Sequence, residues 1–407
     1  MAKQAAAAGR EDEQSRRIKN ACSYLFPAEL LKDKDFFRNI DIETVKKAYR
    51  KKAKAYHPDM HPQASKGTAS DHFMRIHSAY EIITSFLLEK MEPAAGTITR
   101  KRVIIAVGGA KGGVGKSVFA ANLGVFLASR GFKTVVVDLD LGGANIHLYL
   151  GKRKLLKHTI NDFLGRRVNT LEETMVESDY GPLLIGGDSS ELGAANIEFA
   201  KKLRLIKSIG NIDADYVVLD LGGDTSYNII DFFLQADHGI VVTTRDSASY
   251  ISAYHFIKAA LYRKLNRLFG PESNFRDQKD VDLERFIREA TTSPDGAKAR
   301  TIGDLMENIR QHRPLDLSVV TKAIADFRPC LIVNKVPNNA DAHRVVMKVQ
   351  DVTKKWLSKE VAFLGNIAVH KEIEESVIDL VPVVAKHPHG RFAAEIEDIV
   401  KKLLHRG

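Results

Sequence analysis

The spacing of apolar residues changes rhythm twice along the chain, and each change marks a boundary. Residues 1–20 are small or charged with no apolar period, which predicts a disordered tail. Over residues 21–91 the rhythm is helical. Between Ile42 and Tyr56, the residues Val45, Ala48, Tyr49, Ala53 and Tyr56 fall on one side, with Lys46, Lys47, Arg50, Lys51 and Lys54 largely on the other. His57-Pro58-Asp59 ends this helix, because proline drives the residue before it toward an extended conformation. A second helix is expected over Asp71–Ser85, where Phe73, Ile76, Ala79, Tyr80 and Ile83 recur at i, i+3 and i+4 spacing. Two antiparallel helices would then expose the tripeptide at their tip. Residues 92–100, with Pro93 and Gly96, read as a linker.

From Lys101 onward, short β-branched runs alternate with helical segments. VIIAVGG, TVVVDLD, YVVLDLGG, GIVVTT and CLIVNKV have the continuous apolar character of strands buried on both faces. The expected fold is α/β over residues 101–407: a mostly parallel sheet flanked by helices, preceded by the small all-α hairpin. Between about residues 267 and 327 the alternation lapses into helix-like patches such as DLERFIREA, which predicts a mostly helical insertion. A helix over 341–356, a strand over 361–367 and a final helix over 391–404 follow.

The chain has 407 residues, 44% hydrophobic and 28% charged, a balance that excludes a disordered or collagen-like protein. Cys22 and Cys330 are too few and too far apart for a disulfide framework or thiolate metal cage, so a cytoplasmic location is expected, with attachment at the inner membrane face left open. The net charge of +10 permits attraction to nucleic acid or an acidic membrane without establishing either.

Strand VIIAVGG runs into Gly109-Ala-Lys-Gly-Gly-Val-Gly-Lys-Ser117, and a helix is expected from about Val118. This is the strand–loop–helix setting of a phosphate-binding loop. Gly112, Gly113 and Gly115, with Val114 among them, let successive backbone N–H groups and the helix dipole converge on phosphate oxygens. Lys116 can reach the β and γ phosphates of ATP, and Ser117 offers Mg²⁺ a hydroxyl. Asp138 and Asp140 would point to one side if their strand persists that far, and Asp220 closes another strand. Three carboxylates at the C-terminal edge of a sheet, beside such a loop, favour metal and water chemistry over strand-end capping.

With its second lysine, KGGVGKS resembles the deviant Walker A motif of the MinD/ParA family. The resemblance implies that Lys111 reaches across a nucleotide-sandwich homodimer to the partner's phosphates and acts in catalysis with Lys116 and Asp140. It further implies that Asp140 positions or activates the attacking water, Asp138 holds waters of the magnesium shell, and Asp220 is the second-switch aspartate. Asn334 matches a position from which relatives contact adenine, although a loop-stabilising asparagine reads nearly as well. NIIDFFLQADHGIVVTT is most similar to the flagellar-number regulators FlhG and FleN within the family, except that Arg245-Asp246 follows where proline-glutamate is common.

AYRKKAKAYHPD and HFMRIHSAYEIIT resemble the J domain of DnaJ co-chaperones. That implies docking on a DnaK-type chaperone through Lys46, Lys47, Arg50, Lys54, His57, Pro58 and Asp59. The expected function is an ATP-dependent dimerising switch whose slow hydrolysis is stimulated by a protein partner, used in positioning or regulating a structure such as flagella. The alternative is a co-chaperone whose ATPase domain serves as a DNA- or membrane-bound scaffold. Two features bear on the alternative: the basic clusters Lys152-Arg153-Lys154 and Lys201-Lys202-Leu203-Arg204, and the terminal apolar stripe Phe392, Ile396, Ile399, Val400, Leu403 and Leu404. A solvated charged face and ordinary core packing explain these features more readily.

Overall fold

The structure, a computed structural model, describes residues 18–31, 36, 40, 42–55, scattered positions between 75 and 83, and 102–154, 156–188, 197–269, 301–312 and 317–405. The chain divides into two compact units, Met1–Thr99 and Arg100–Gly407.

In the first unit a helix runs over residues 18–25 and buries Ile18, Ala21, Cys22 and Leu25, so residues 18–20 of the expected tail are helical. Helix α1 (Ile42–Ala55) turns its apolar side inward. Val45 is fully buried, and the Tyr49 ring stacks on Tyr80 at a centroid separation of 4.5 Å. Ile76, Ala79 and Ile83, from the stretch expected to form the second helix, complete the same core. Lys47 and Arg50 are exposed, as the amphipathic pattern requires. The side chains of Lys46 and Lys54, and all of His57, Pro58 and Asp59, lie outside the described residues.

The second unit is built on an eight-stranded sheet in the order β3-β4-β2-β5-β1-β6-β7-β8. Its strands are β1 (Val103–Gly108), β2 (Thr134–Asp138), β3 (Met175–Glu177), β4 (Leu183–Ile185), β5 (Tyr216–Asp220), β6 (His238–Thr244), β7 (Cys330–Val336) and β8 (Ala362–Ala368). Every pairing is parallel except β3 with β4. Successive strand residues face opposite sides, and both sides are covered. Ile104, Ala106, Val217, Leu219 and Val241 join one core, while Ile105, Val107, Val218, Ile240 and Val242 join the other. That double burial is why the runs are continuously apolar rather than alternating.

Helices α3 (Phe199–Ile209), α4 (Tyr227–Phe233), α5 (Ser247–Phe269), α6 (Ile302–His312), α7 (Leu317–Ala325) and α8 (Asn339–Leu357) supply the first core. The described part of the expected insertion thus joins the first core through Ile302, Leu305, Ile309 and Val320, packed against α5 and α8, while residues 270–300 and 313–316 lie outside the described residues. The second core is closed by α2, which spans Lys116–Ser129, and by the final helix Arg391–Leu404.

The final helix decides between two sequence readings. Phe392, Ile396, Ile399, Val400 and Leu403 are buried in the second core, and at about 1.5–3 kcal/mol per buried side chain they anchor the helix there rather than in a lipid surface. Among the described residues no helix is long and apolar enough to cross a membrane. The 201–204 cluster is corrected as well. Lys202 is 4% exposed and pairs with Asp231 at 2.5 Å, and Arg204 donates to the carbonyls of Phe163 and Asn169. A buried carboxylate neutralises Lys202 and two backbone carbonyls hold Arg204, which leaves Lys201, exposed and 2.9 Å from Glu198, as the outward cation of this cluster.

Candidate nucleotide site

The loop after β1 opens at the C-terminal edge of the sheet, between β5 and β6, where crevices form in such sheets. Gly115 caps α2 with φ 97°, a left-handed conformation that a side chain would strain. Lys116, the first residue of α2, is 7% exposed, and its Nζ donates to the Lys111 carbonyl at 3.2 Å. Burial lowers its pKa, against the pull of Asp220, Asp140 and Asp224. Gly223 packs so closely that a Cβ there would lie 3.2 Å from Lys116 Nζ and 3.1 Å from the Gly112 nitrogen. Above the loop is a cavity of about 640 Å³, lined on this side by Gly112, Gly113, Gly115, Lys116, Ser117, Asp140, Asn145 and Tyr149. That volume is of the size that accommodates a nucleotide-scale ligand.

Two of the three carboxylates sit behind the wall rather than on it. Asp138 and Asp220 are partners in the β2–β5 register and are almost fully buried. β2 ends at Asp138, so the expected strand continuation to Asp140 does not occur and the two side chains part. Asp138 accepts the N–H groups of Asp140 at 3.2 Å and Ile146 at 3.1 Å, holding the loop between them. Burial pushes its pKa up, with the backbone bonds opposing and Asp140 reinforcing the rise. Asp140 faces the cavity half-buried, its pKa raised by burial against the pull of Lys116.

Asp220 is raised well above the usual carboxylate range, by burial first and by Asp138 second, while Ser117 and Lys116 favour its ionised form. Neither of its oxygens has a hydrogen-bond partner of normal geometry. Buried carboxylate oxygens left without such partners beside a serine hydroxyl fit a hydrated divalent cation, which favours oxygen donors and commonly keeps its waters. Ser117 and Asp220, with Asp138 behind them, are the residues that would hold Mg²⁺.

Asn334 lines the same cavity, and its amide also reaches the loop. Its Nδ2 donates to the Val114 carbonyl at 2.8 Å and braces the loop, while its Oδ1 accepts the N–H of the neighbouring Lys335 at 2.8 Å. Val114 turns its side chain into the second core and serves the loop through its backbone. Lys335, which the motif reading missed, adopts φ 56° and donates from Nζ to the Gly113 carbonyl at 3.0 Å. Its adjacency to Asn334 was the available signal. The far wall of the cavity was also missed: Val369 after β8, then Ile373, Val377 and Ile378 on α9 (Lys371–Asp379). Ile378 is 80% exposed, an apolar residue bordering the cavity where a planar base could pack.

Lys111 stands on the outer side of the loop, 38% exposed, with Nζ 2.7 Å from Asp246 Oδ1. Asp246 also accepts the hydroxyls of Thr244 and Ser249, and these donors hold its pKa far below the usual carboxylate range.

Known proteins are similar to parts of this chain. YlxH of Helicobacter pylori, a flagellum site-determining protein, is 35% identical over 156 residues, covering 38% of this chain and 52% of that protein. The antiactivator FleN of Pseudomonas aeruginosa is 28% identical over 169 residues, covering 41% and 58% respectively. The chain spans about half the length of the curated relatives it matches. Among solved structures, the MinC:MinD cell division complex of Aquifex aeolicus aligns with a TM-score of 0.49 at 18% identity, over 74% of this chain and 96% of that one. Residues 37–86 match the DnaJ domain. Residues 105–383, more than half of the chain, match the CobQ/CobB/MinD/ParA nucleotide binding domain, and the chain belongs to that family, with a DnaJ domain ahead of it.

Proposed function

We propose that this chain is a Mg²⁺-dependent ATPase of MinD/ParA type that dimerises around ATP, hydrolyses it slowly under a protein partner's stimulation, and so switches a binding surface on and off. The observation that carries the reading is the arrangement of three groups around one loop. Lys116 is buried within the electrostatic reach of Asp220, Asp140 lines the cavity, and Lys111 stands outside it. Lys116 Nζ, now on the Lys111 carbonyl, would exchange that bond for phosphate oxygens. Asp140, its basicity raised by burial, would accept a hydrogen bond from the attacking water and orient it. The cation would neutralise charge developing on the phosphate oxygens. Lys111, outside its own cavity, is placed to serve a second copy.

The names of the relatives, flagellum site-determining protein and antiactivator FleN, support a role in placing or numbering a cell structure such as flagella. The DnaJ domain supports recruitment of a DnaK-type chaperone to that structure. A DNA- or membrane-bound scaffold draws no support from Lys202, Arg204 or the final helix, all of which are engaged within the protein.

The test is light scattering with Mg²⁺ and ATP. Lys116→Ala should lose ATP binding, whereas Asp140→Ala should bind ATP and accumulate as a dimer. An Asp140→Ala protein that binds ATP yet stays monomeric contradicts the switch.

A further inference from the structure

Lys111 borders a second, smaller recess of about 250 Å³ on the outer side of the loop, together with Thr244, Arg245, Asp246, Ser249 and Lys335. Two of its three cations have other engagements: Lys335 is held by the Gly113 carbonyl, and Arg245 lies 3.9 Å from Asp341. Asp246 is the partner of the third, at 2.7 Å and across 135 residues of sequence.

The two members of this pair differ in freedom. Asp246 is fixed: it precedes α5, its carbonyl accepts the Ser249 N–H at 3.1 Å, and its carboxylate takes the same N–H at 3.0 Å and the Ser249 hydroxyl at 2.6 Å. Lys111 is a flexible side chain on a glycine-rich loop, exposed enough to leave. The expected acceptor across a dimer interface, a triphosphate, carries more charge than one carboxylate.

We infer that Asp246 is a positioning residue that stores the Lys111 ammonium on its own chain until a second nucleotide-bound copy presents its phosphates, so that this ion pair sets the ATP threshold for dimerisation. The inference rests on the dimerising switch proposed above and adds to it a resting state for the lysine. A partly exposed pair is a weak restraint, so it tunes the threshold by about two- to fivefold and does not lock the monomer.

Asp246→Ala would remove the helix cap together with the ion pair. Asp246→Asn is the cleaner variant, because asparagine caps a helix about as well as aspartate while carrying no charge. Sedimentation of the full chain with Mg²⁺ and a non-hydrolysable ATP analogue gives the analogue concentration at half-maximal dimer. Binding of the same analogue to dilute, monomeric protein and the nucleotide-free melting temperature are the controls.

Asp246→Asn should dimerise at a two- to fivefold lower analogue concentration, with monomer affinity and melting temperature unchanged. If the unaltered chain dimerises and Asp246→Asn needs the same concentration or more, the stored-lysine role is wrong while the switch stands. If the unaltered chain binds the analogue and never dimerises, the switch and the stored-lysine role fall together.

Discussion

Gly115→Ala tests how the loop is held open. Gly115 has φ 97° and ψ 23°, and a Cβ on it would lie 2.3 Å from Asn334 Nδ2. That amide bridges the Val114 carbonyl and the Lys335 N–H, so it cannot retreat without breaking both bonds. The left-handed backbone costs an alanine about 1–2 kcal/mol. Leaving the Val114 carbonyl unpaired costs about 1–3 kcal/mol more, for a total of about 2–5 kcal/mol. In a unit of this size the melting temperature should fall by roughly 5–10 °C.

Gly112→Ala is the matched control, because Gly112 has no positive φ and an added Cβ meets nothing within 4 Å. It should leave stability within about 0.5 kcal/mol of the unaltered chain yet weaken ATP binding, since the methyl enters the cavity. In an Asn334→Ala background Gly115→Ala should cost the backbone part alone, about 1–2 kcal/mol, because its steric opponent is gone. Scanning calorimetry of the unaltered chain, the two glycine variants, Asn334→Ala and the double variant decides it. Equal melting temperatures for the two glycine variants, or strict additivity with Asn334→Ala, would refute the bracing role.

The buried carboxylates predict a pH dependence. Burial raises Asp138 to about 7 and lifts Asp220 as well, so their contribution to folding is complete below the ordinary value of 3.8 and is lost as pH rises through the raised values. Without ligand, Asp220→Asn should therefore melt higher than the unaltered chain by a margin that opens as pH rises above the ordinary value of 3.8; a margin that is flat or closing in a pH series of melting curves contradicts this. For the DnaJ domain, the full chain should stimulate ATP hydrolysis by a DnaK-type chaperone in a phosphate-release assay, and His57→Gln should abolish that stimulation without changing the chain's own ATP binding. Equal stimulation by His57→Gln would remove the J-domain role.

Much of the fold was legible because its signals are local. Five apolar runs became five parallel strands, and the glycine loop lies between a strand and a helix as its motif demands. The final helix occupies the span its apolar period gave, Arg391–Leu404. The β3–β4 hairpin left no such trace, since strands of three residues are too short to show a period. The end of β2 at Asp138 was also invisible, because a carboxylate that stops a strand looks in sequence like one that continues it.

The residue types of the site were set by the sequence, and their roles by the sheet order. Asp138 meets Asp220 because β2 lies beside β5, and their mutual burial then raises both pKa values. Asn334 braces the loop because β7 carries it to the Val114 carbonyl, 220 residues away in the chain. Lys202 looked like surface charge until α3 packed it on Asp231. Spacing along a chain records what each segment must bury. Which charge meets which depends on how those segments are stacked, and only folding brings groups distant in sequence to within bonding distance.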